Sequence, residues 1–177
     1  MKEQILTKRL VLRPLNKEDL QETFSIAQDA EATRYMMFYP HRNQKETALF
    51  LEKAWAEWLK EDPDFYEFAV AYNGRQVGIV SLYWVKERQE AELGWLIHRD
   101  FWNQGFGTEA AAAVRDFAIA LGASRILAEC DARNTASFRV MQKIGLKLEQ
   151  DNGTRIYPDG RGTARELLCS MVLPHKL

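Results

Sequence analysis

Two glycines set directly behind an apolar strand and in front of a long alanine-rich helix constrain this chain more than any other feature. The run reads Trp102-Asn103-Gln104-Gly105-Phe106-Gly107-Thr108-Glu109 and continues into four alanines. A helix so rich in alanine can lie close on a sheet, which implies helices layered on strands. The loop also makes an anion site. Backbone N–H groups in the first turn of a helix have no partner within it and sit at the positive end of its dipole, and glycine lets a ligand's phosphates come close. Taken alone, the two glycines serve a tight turn equally well. Their context decides between the readings.

The loop is neither Gly-x-x-x-x-Gly-Lys-Ser/Thr nor Gly-x-Gly-x-x-Gly, which disfavours a nucleotide triphosphatase or a nicotinamide dehydrogenase. With 177 residues, 46% of them hydrophobic, and no linker, repeat or low-complexity segment, the chain reads as one domain over 1–177. Its 24 basic and 25 acidic side chains are interspersed, for a net charge of -1, and give no reason to expect nucleic acid or membrane as a partner. Met1-Lys2-Glu3-Gln4 opens no signal-peptide stretch, and no run approaches the roughly 20 apolar residues of a membrane span, so a cytoplasmic protein is expected. Cys130 and Cys169 are packed thiols on this reading. His41, His98 and His175 lack metal-ligand spacing, and no metal is expected.

Along the chain, residues 9–13 alternate as a short strand that Pro14 closes, and Asn16 caps a first helix with Asp19 at its third position. Residues 47–60 form a second helix with Phe50, Leu51, Ala54, Trp55 and Trp58 inward. Strands at 65–72 and 76–84 flank Asn73-Gly74, a type I′ hairpin signal, and 91–97 returns after the polar turn Lys86-Glu87-Arg88-Gln89. After the glycine loop, Ala110, Ala113, Val114, Phe117, Ala118 and Leu121 line one side of a helix that Gly122 ends. A strand at 125–130, a short helix from Asn134 to Lys143 stopped by Gly145, an extended piece from Leu146 and a last strand at 164–172 complete the pattern.

Several segments together carry a family resemblance: Thr7-Lys8-Arg9-Leu10-Val11-Leu12-Arg13-Pro14, Glu92-Leu93-Gly94-Trp95-Leu96-Ile97, the glycine loop, Asn134-Thr135-Ala136-Ser137, Ile144-Gly145-Leu146 and Tyr157-Pro158-Asp159-Gly160-Arg161. In order and spacing they resemble the GNAT superfamily of acyl-CoA-dependent N-acetyltransferases, in the branch of the ribosomal-protein-alanine N-acetyltransferases. The resemblance covers residues 7–173. It implies an α+β fold with a mixed, mostly antiparallel seven-stranded central sheet flanked by about four helices, acetyl-CoA (coenzyme A) as cofactor, and a monomer or homodimer.

The resemblance also implies roles. Leu96, Ile97 and His98 would offer main-chain groups to the pantetheine arm, and the amides of Asn103, Gln104, Gly105, Phe106, Gly107 and Thr108 would hold the pyrophosphate. The superfamily has Gln or Arg where Trp102 stands, so a side-chain contact is missing there. Arg139 and Lys143, four apart on the last helix, and Arg99 are candidates for the 3′-phosphate, with an ordinary solvated face as the alternative. Phe138 packs on cofactor or core. The tyrosine that many members use as general acid is Met141 here. Ser137, three beyond Asn134, fits the branch's alternative acid, with Asn134 holding a pantetheine carbonyl or water; apart from the family, both are ordinary helix-cap residues.

Amine acetylation needs a neutral lone pair, a polarised carbonyl and a proton for the leaving thiolate. Alternation puts Glu92, Gly94 and Leu96 on one strand face, so Glu92 is a lone carboxylate in small or apolar surroundings. Desolvation would raise its pKa toward that of a general base; pairing with a neighbouring strand's arginine is the alternative. The loop Thr33 to His41, with Tyr35, Met36 and Phe38, together with Tyr83, Trp84 and Tyr157, would wall the acceptor side, with plain core packing as the alternative. The expected acceptor is the N-terminal amine of a protein or peptide. A small amine such as an amino acid, polyamine or antibiotic, a non-catalytic acyl-CoA sensor and an interaction domain remain alternatives.

Overall fold

The computed structural model describes residues 4–85, 89–158 and 160–174. Met1 to Glu3, Lys86, Glu87, Arg88, Asp159 and His175 of the segments above lie outside them. Eight strands form one sheet, one more than the seven expected. The extra strand is β1 (Ile5–Leu6), too short to show a period in sequence; it folds back on β2 (Val11–Pro14) through a turn in which Thr7 Oγ1 accepts from the Leu10 amide at 2.9 Å.

Asn16 is the cap expected, and with Asp19 it forms a capping box that starts a 3-10 turn leading into α1 (Leu20–Ala27). The second helix, α2 (Gln44–Leu59), begins before residue 47 because Asn43 caps it, its Oδ1 accepting from the amides of Lys45 and Glu46. Thr47, Leu51, Ala54, Glu57 and Trp58 are its buried residues. Trp55, expected inward, is 38% exposed, one residue round from the buried stripe. Next come β3 (Phe65–Tyr72), β4 (Arg75–Val85) and β5 (Glu90–Ile97), a meander whose first turn has φ of 50° at Asn73 and 80° at Gly74, as a type I′ hairpin requires.

α3 (Phe106–Ala120), β6 (Arg125–Asp131), α4 (Thr135–Lys143), β7 (Lys147–Ile156) and β8 (Thr163–Val172) follow. Leu121, beyond the end of α3, is exposed rather than core. The strand order is β1-β2-β3-β4-β5-β6-β8-β7, and among the described residues the one parallel pairing is that between β5 and β6. The larger core joins one sheet face to α3 and α4 through Phe68, Val80, Leu82, Leu93, Phe106, Val114, Ile126 and Met141. A smaller cluster, Leu15, Leu51, Ala54, Ala69 and Ile79, joins the other face to α2. That second face, only partly covered by helices, carries Glu92.

Candidate active site

β5 and β6 pair only where Glu90–Glu92 meets Arg125–Leu127. Beyond that point β5 runs on to Ile97 against β4, β6 runs on to Asp131 against β8, and a wedge opens between them. The His98 amide donates to Val77 O at 2.9 Å. By antiparallel phase the even residues of β5 therefore bond β4, and Leu93, Trp95 and Ile97 turn their amides into the wedge. The main chain of Leu96 and His98, expected to line a pantetheine arm, is thus directed to β4. Trp95 and Ile97 face the wedge instead, with the Ile97 carbonyl accepting from Trp102 Nε1 at 2.8 Å. The side chain of His98 caps the 3-10 turn Arg99–Phe101, its Nδ1 accepting from the Asp100 amide at 3.2 Å.

At the wide end of the wedge stands the N-terminus of α3. Asn103 and Gly105 have φ of 58° and 82°, which wraps the chain so that Phe106, Gly107 and Thr108 supply first-turn amides; the Glu109 amide is already bonded to Gly105 O at 3.0 Å. The Phe106 side chain is buried, leaving only its amide for a ligand. A Cβ on Gly107 would lie 3.5 Å from Ile97 Cγ1 and 3.9 Å from Val140 Cγ2, so the bare glycine keeps space between β5 and α4. A wedge of outward amides ending at a helix N-terminus fits an extended acyl carrier with a phosphate at one end.

The turn is braced from the N-terminal strands, which the sequence reading did not anticipate. Arg9 Nη1 donates to Gln104 O at 2.9 Å and Nε to Glu109 Oε2 at 2.7 Å, and the guanidinium lies 4.4 Å from the Phe106 ring centroid. Glu109 Oε1 accepts from the Arg9 amide and from Thr7 Oγ1. Burial pushes the Glu109 carboxyl up, and the bonds from Thr7 and Arg9 outweigh it and hold it low. Arg99 is committed elsewhere, to Asp29 at 2.5 Å, whereas Arg139 and Lys143 are exposed on α4.

Asn134 caps α4, its Oδ1 accepting from the Ser137 amide at 3.1 Å, which leaves its NH2 group to face outward bonding. Ser137 is half-buried and bonds the Cys130 thiol, which burial pushes up to about 11. Phe138 packs against the larger core, and Met141 is fully buried where the tyrosine acid would be.

Across the sheet face, Glu92 is half-buried and its pKa is raised, first by burial and then by the charge of Glu129, with Arg155 opposing and Glu166 adding. Arg125 of the neighbouring β6, the strand from which an arginine partner for Glu92 is the alternative, bonds Glu90 at 2.7 Å and Glu149 at 2.5 Å, and Arg155 of β7 pairs with Glu166 at 2.9 Å. Asp131 is buried; its desolvation is outweighed by Arg133 and by the Tyr157 hydroxyl at 2.8 Å, which hold its pKa at about 2. Tyr83 is half-exposed and donates its hydroxyl to Glu67, a buried carboxyl on β3 that the sequence reading passed over.

Tyr35, Met36 and Phe38 are half-buried in a loop tied down from the β7–β8 hairpin. Arg161 donates to the carbonyls of Arg34 and Met36 at 2.9 Å and of Phe38 at 3.4 Å, and lies 4.4 Å from the Tyr157 ring centroid. The Phe38 ring lies tilted against His41 with centroids 5.8 Å apart, and His41 meets Phe50 of α2 edge-on. Loop and hairpin therefore form one wall.

Residues 9–147 match the model of the acetyltransferase (GNAT) domain. The chain belongs to this family, and it is an acetyl-CoA-dependent N-acetyltransferase. The uncharacterized N-acetyltransferase YnaD of Bacillus subtilis is 29% identical over 149 residues, 82% of this chain and 83% of that protein. Two solved structures share the fold at lower identity. One is an acetyltransferase of Salmonella typhimurium that modifies the N-terminal serine of the ribosomal protein L7/L12, with TM-score 0.80 and 16% identity over 97% of this chain and 100% of that one. The other is spermidine N-acetyltransferase from Vibrio cholerae in complex with CoA and spermine, with TM-score 0.79 and 17% identity over 94% and 96%. Among the described residues no helix is long and apolar enough to cross a membrane.

Proposed function

We propose that the acceptor is the α-amino group of a protein or peptide N-terminus, acetylated directly in a ternary complex. The observation that carries this reading is the exposed apolar rim of the acceptor side: Met37 and Tyr39, each 46% exposed, on the wall held by Arg161, and Tyr83 at 39% on the floor. Side chains that follow an N-terminal residue would cover such a rim, which a small hydrophilic amine leaves bare. Acetyl-CoA supplies the thioester carbonyl. The amides of Trp95 and Ile97 align its carrier arm, the first-turn amides of α3 hold its phosphates, and Asn134 fixes a carrier carbonyl or water. Glu92, its pKa raised by burial, takes the ammonium proton directly or through water; an α-ammonium, with an ordinary pKa of about 7.7–8.0, yields it more readily than a lysine-like amine. Ser137 gives a proton to the leaving thiolate.

A second reading rests on Glu92, Glu129 and Glu166, three carboxylates grouped around Arg155. Their surplus negative charge favours a polycationic acceptor such as a polyamine. Thiol release from acetyl-CoA, followed across peptides with alanine, serine or methionine N-termini and across polyamines, aminoglycosides and free amino acids, separates the two. Turnover of peptides is the expected result. Turnover confined to polyamines would replace the first reading by the second.

A further inference from the structure

Glu67 has no part in the chemistry described above, yet its setting is unusual. It lies in the middle of β3 at 2% exposure, with Oε2 accepting from Ser81 Oγ at 2.6 Å and Oε1 from the Tyr83 hydroxyl. Burial pushes its carboxyl up to about 7 against those two bonds. Nearby charges are engaged with others: Arg13 with Asp19 at 2.5 Å, Glu57 with Lys60 at 2.5 Å, and the Lys53 amine 5.7 Å from the Phe65 ring centroid. A carboxyl in this position costs stability that an apolar side chain would not.

The network opens toward the acceptor side. Tyr83 stacks on Phe65 with centroids 5.5 Å apart and stands opposite Glu92 across the β4–β5 pairing, where facing Cβ atoms lie about 5 Å apart in antiparallel sheets. Ser81 stands opposite Gly94, and a Cβ there would be 3.7 Å from Ser81 Cβ and 3.9 Å from Oγ, so β5 puts no side chain over the pair. Tyr83 thus stands between two carboxyls, facing Glu92 across the β4–β5 pairing and bonding Glu67 with its hydroxyl.

We infer that Glu67 is the proton store of the acceptor site, filled through the Tyr83 hydroxyl. The inference rests on the transferase reading above and is independent of which amine is acetylated. Glu92, once protonated by the ammonium, passes the proton through a water to Tyr83 Oη while the tyrosine's own proton moves to Glu67 Oε1. Glu92 is a carboxylate again, Tyr83 is unchanged, and Glu67 is a neutral acid in an apolar floor, the form that burial favours. The proton leaves by the reverse route to solvent through the half-exposed tyrosine. Glu67 touches no substrate here and acts as a positioning residue for the proton.

The test is the pH profile of kcat at saturating acetyl-CoA and amine, using whichever amine turns over, for the wild type, Glu67→Gln and Tyr83→Phe. In the wild type kcat rises with pH through the region near 7. Both variants lose that limb and turn over about tenfold or more slowly at pH 8. A pH-independent drop with the limb intact, in either variant, would reduce Glu67 to a structural residue and overturn the inference. The ionisation is also read without any amine, by carbon-13 NMR of carboxyl-labelled glutamate. A resonance titrating near 7 that Glu67→Gln abolishes is expected, and a Glu67 carboxyl titrating below 5 overturns the store even if no amine in the panel is acetylated.

Discussion

Replacing Gly105 by alanine tests whether the turn before α3 is the phosphate cradle, and Gly74→Ala supplies the control. Both glycines sit in left-handed backbone, at φ of 82° and 80°. An L-residue there costs about 1–2 kcal/mol in either place. At Gly74 no atom of the described residues lies within 4 Å of a new Cβ, so the cost ends there. At Gly105 the Cβ would stand 3.3 Å from Arg9 Nη2, and that guanidinium is held by Gln104 O and Glu109 and cannot simply swing aside. Loss of one of these charged bonds adds roughly 1.5–3 kcal/mol. Gly105→Ala should therefore melt several degrees below Gly74→Ala, since each kcal/mol moves Tm by about 2–4 °C in a domain of this size. Displacing Arg9 also re-aims the first-turn amides. One lost amide-to-phosphate bond would weaken acetyl-CoA binding about 10- to 100-fold, readable by calorimetry, while Gly74→Ala binds as the wild type does. Equal acetyl-CoA affinity in the two variants would refute the cradle, and equal melting would refute the Arg9 brace.

Three further outcomes follow from the same geometry. Ser137→Ala should lower kcat by about 10- to 100-fold with the acceptor KM near that of the wild type, and full activity in steady-state assays would hand the thiolate's proton to water. Arg161→Ala removes the bonds to the carbonyls of Arg34, Met36 and Phe38; it should raise the acceptor KM several-fold and leave acetyl-CoA affinity unchanged, and the reverse pattern would detach the loop from acceptor binding. For stability, Glu67 is raised from an ordinary 4.5 to about 7, so its contribution is full below pH 4.5 and is lost as pH rises through 7. Glu67→Gln should thus match the wild type in urea unfolding at pH 4 and exceed it at pH 8 by up to roughly 3 kcal/mol; no change in that difference with pH would mean that the carboxyl is ionised freely.

Much of the fold was legible because local signals agree with it. Asn16 with Asp19, Asn73-Gly74 and Gly122 each fix a boundary through bonds within a few residues, and the glycine loop announces the helix that follows. What escaped depends on distant partners. Arg9 and Glu109 are a hundred positions apart, and a basic residue beside a short strand gives no sign that it braces a turn behind another strand. Arg161 likewise reads as a solvated hairpin charge until its carbonyl partners in residues 34–38 are seen.

The acceptor floor shows how small the missing information can be. In a regular hairpin closed by Asn73-Gly74, Tyr72 faces Arg75 and Ala71 faces Gln76, and the same count would set Glu67 against Val80 and Phe65 against Leu82. The alternation then leaves Glu67 facing no polar group across the pair. In the structure the register shifts between Val70 and Ala71, with Val77 as the extra residue, and the count moves by one. Glu67 now faces Ser81, and Tyr83 faces Phe65 on one side and Glu92 on the other. A single bulged residue moves the polar side chains of β4 onto the face that holds both carboxyls, because side-chain direction in a strand has a period of two. The chemistry of this face is therefore set by a backbone irregularity ten positions from Glu67: were Val77 taken into the ladder opposite Val70 instead of bulging from it, Ser81 and Tyr83 would turn into the opposite core and leave Glu67 unbonded.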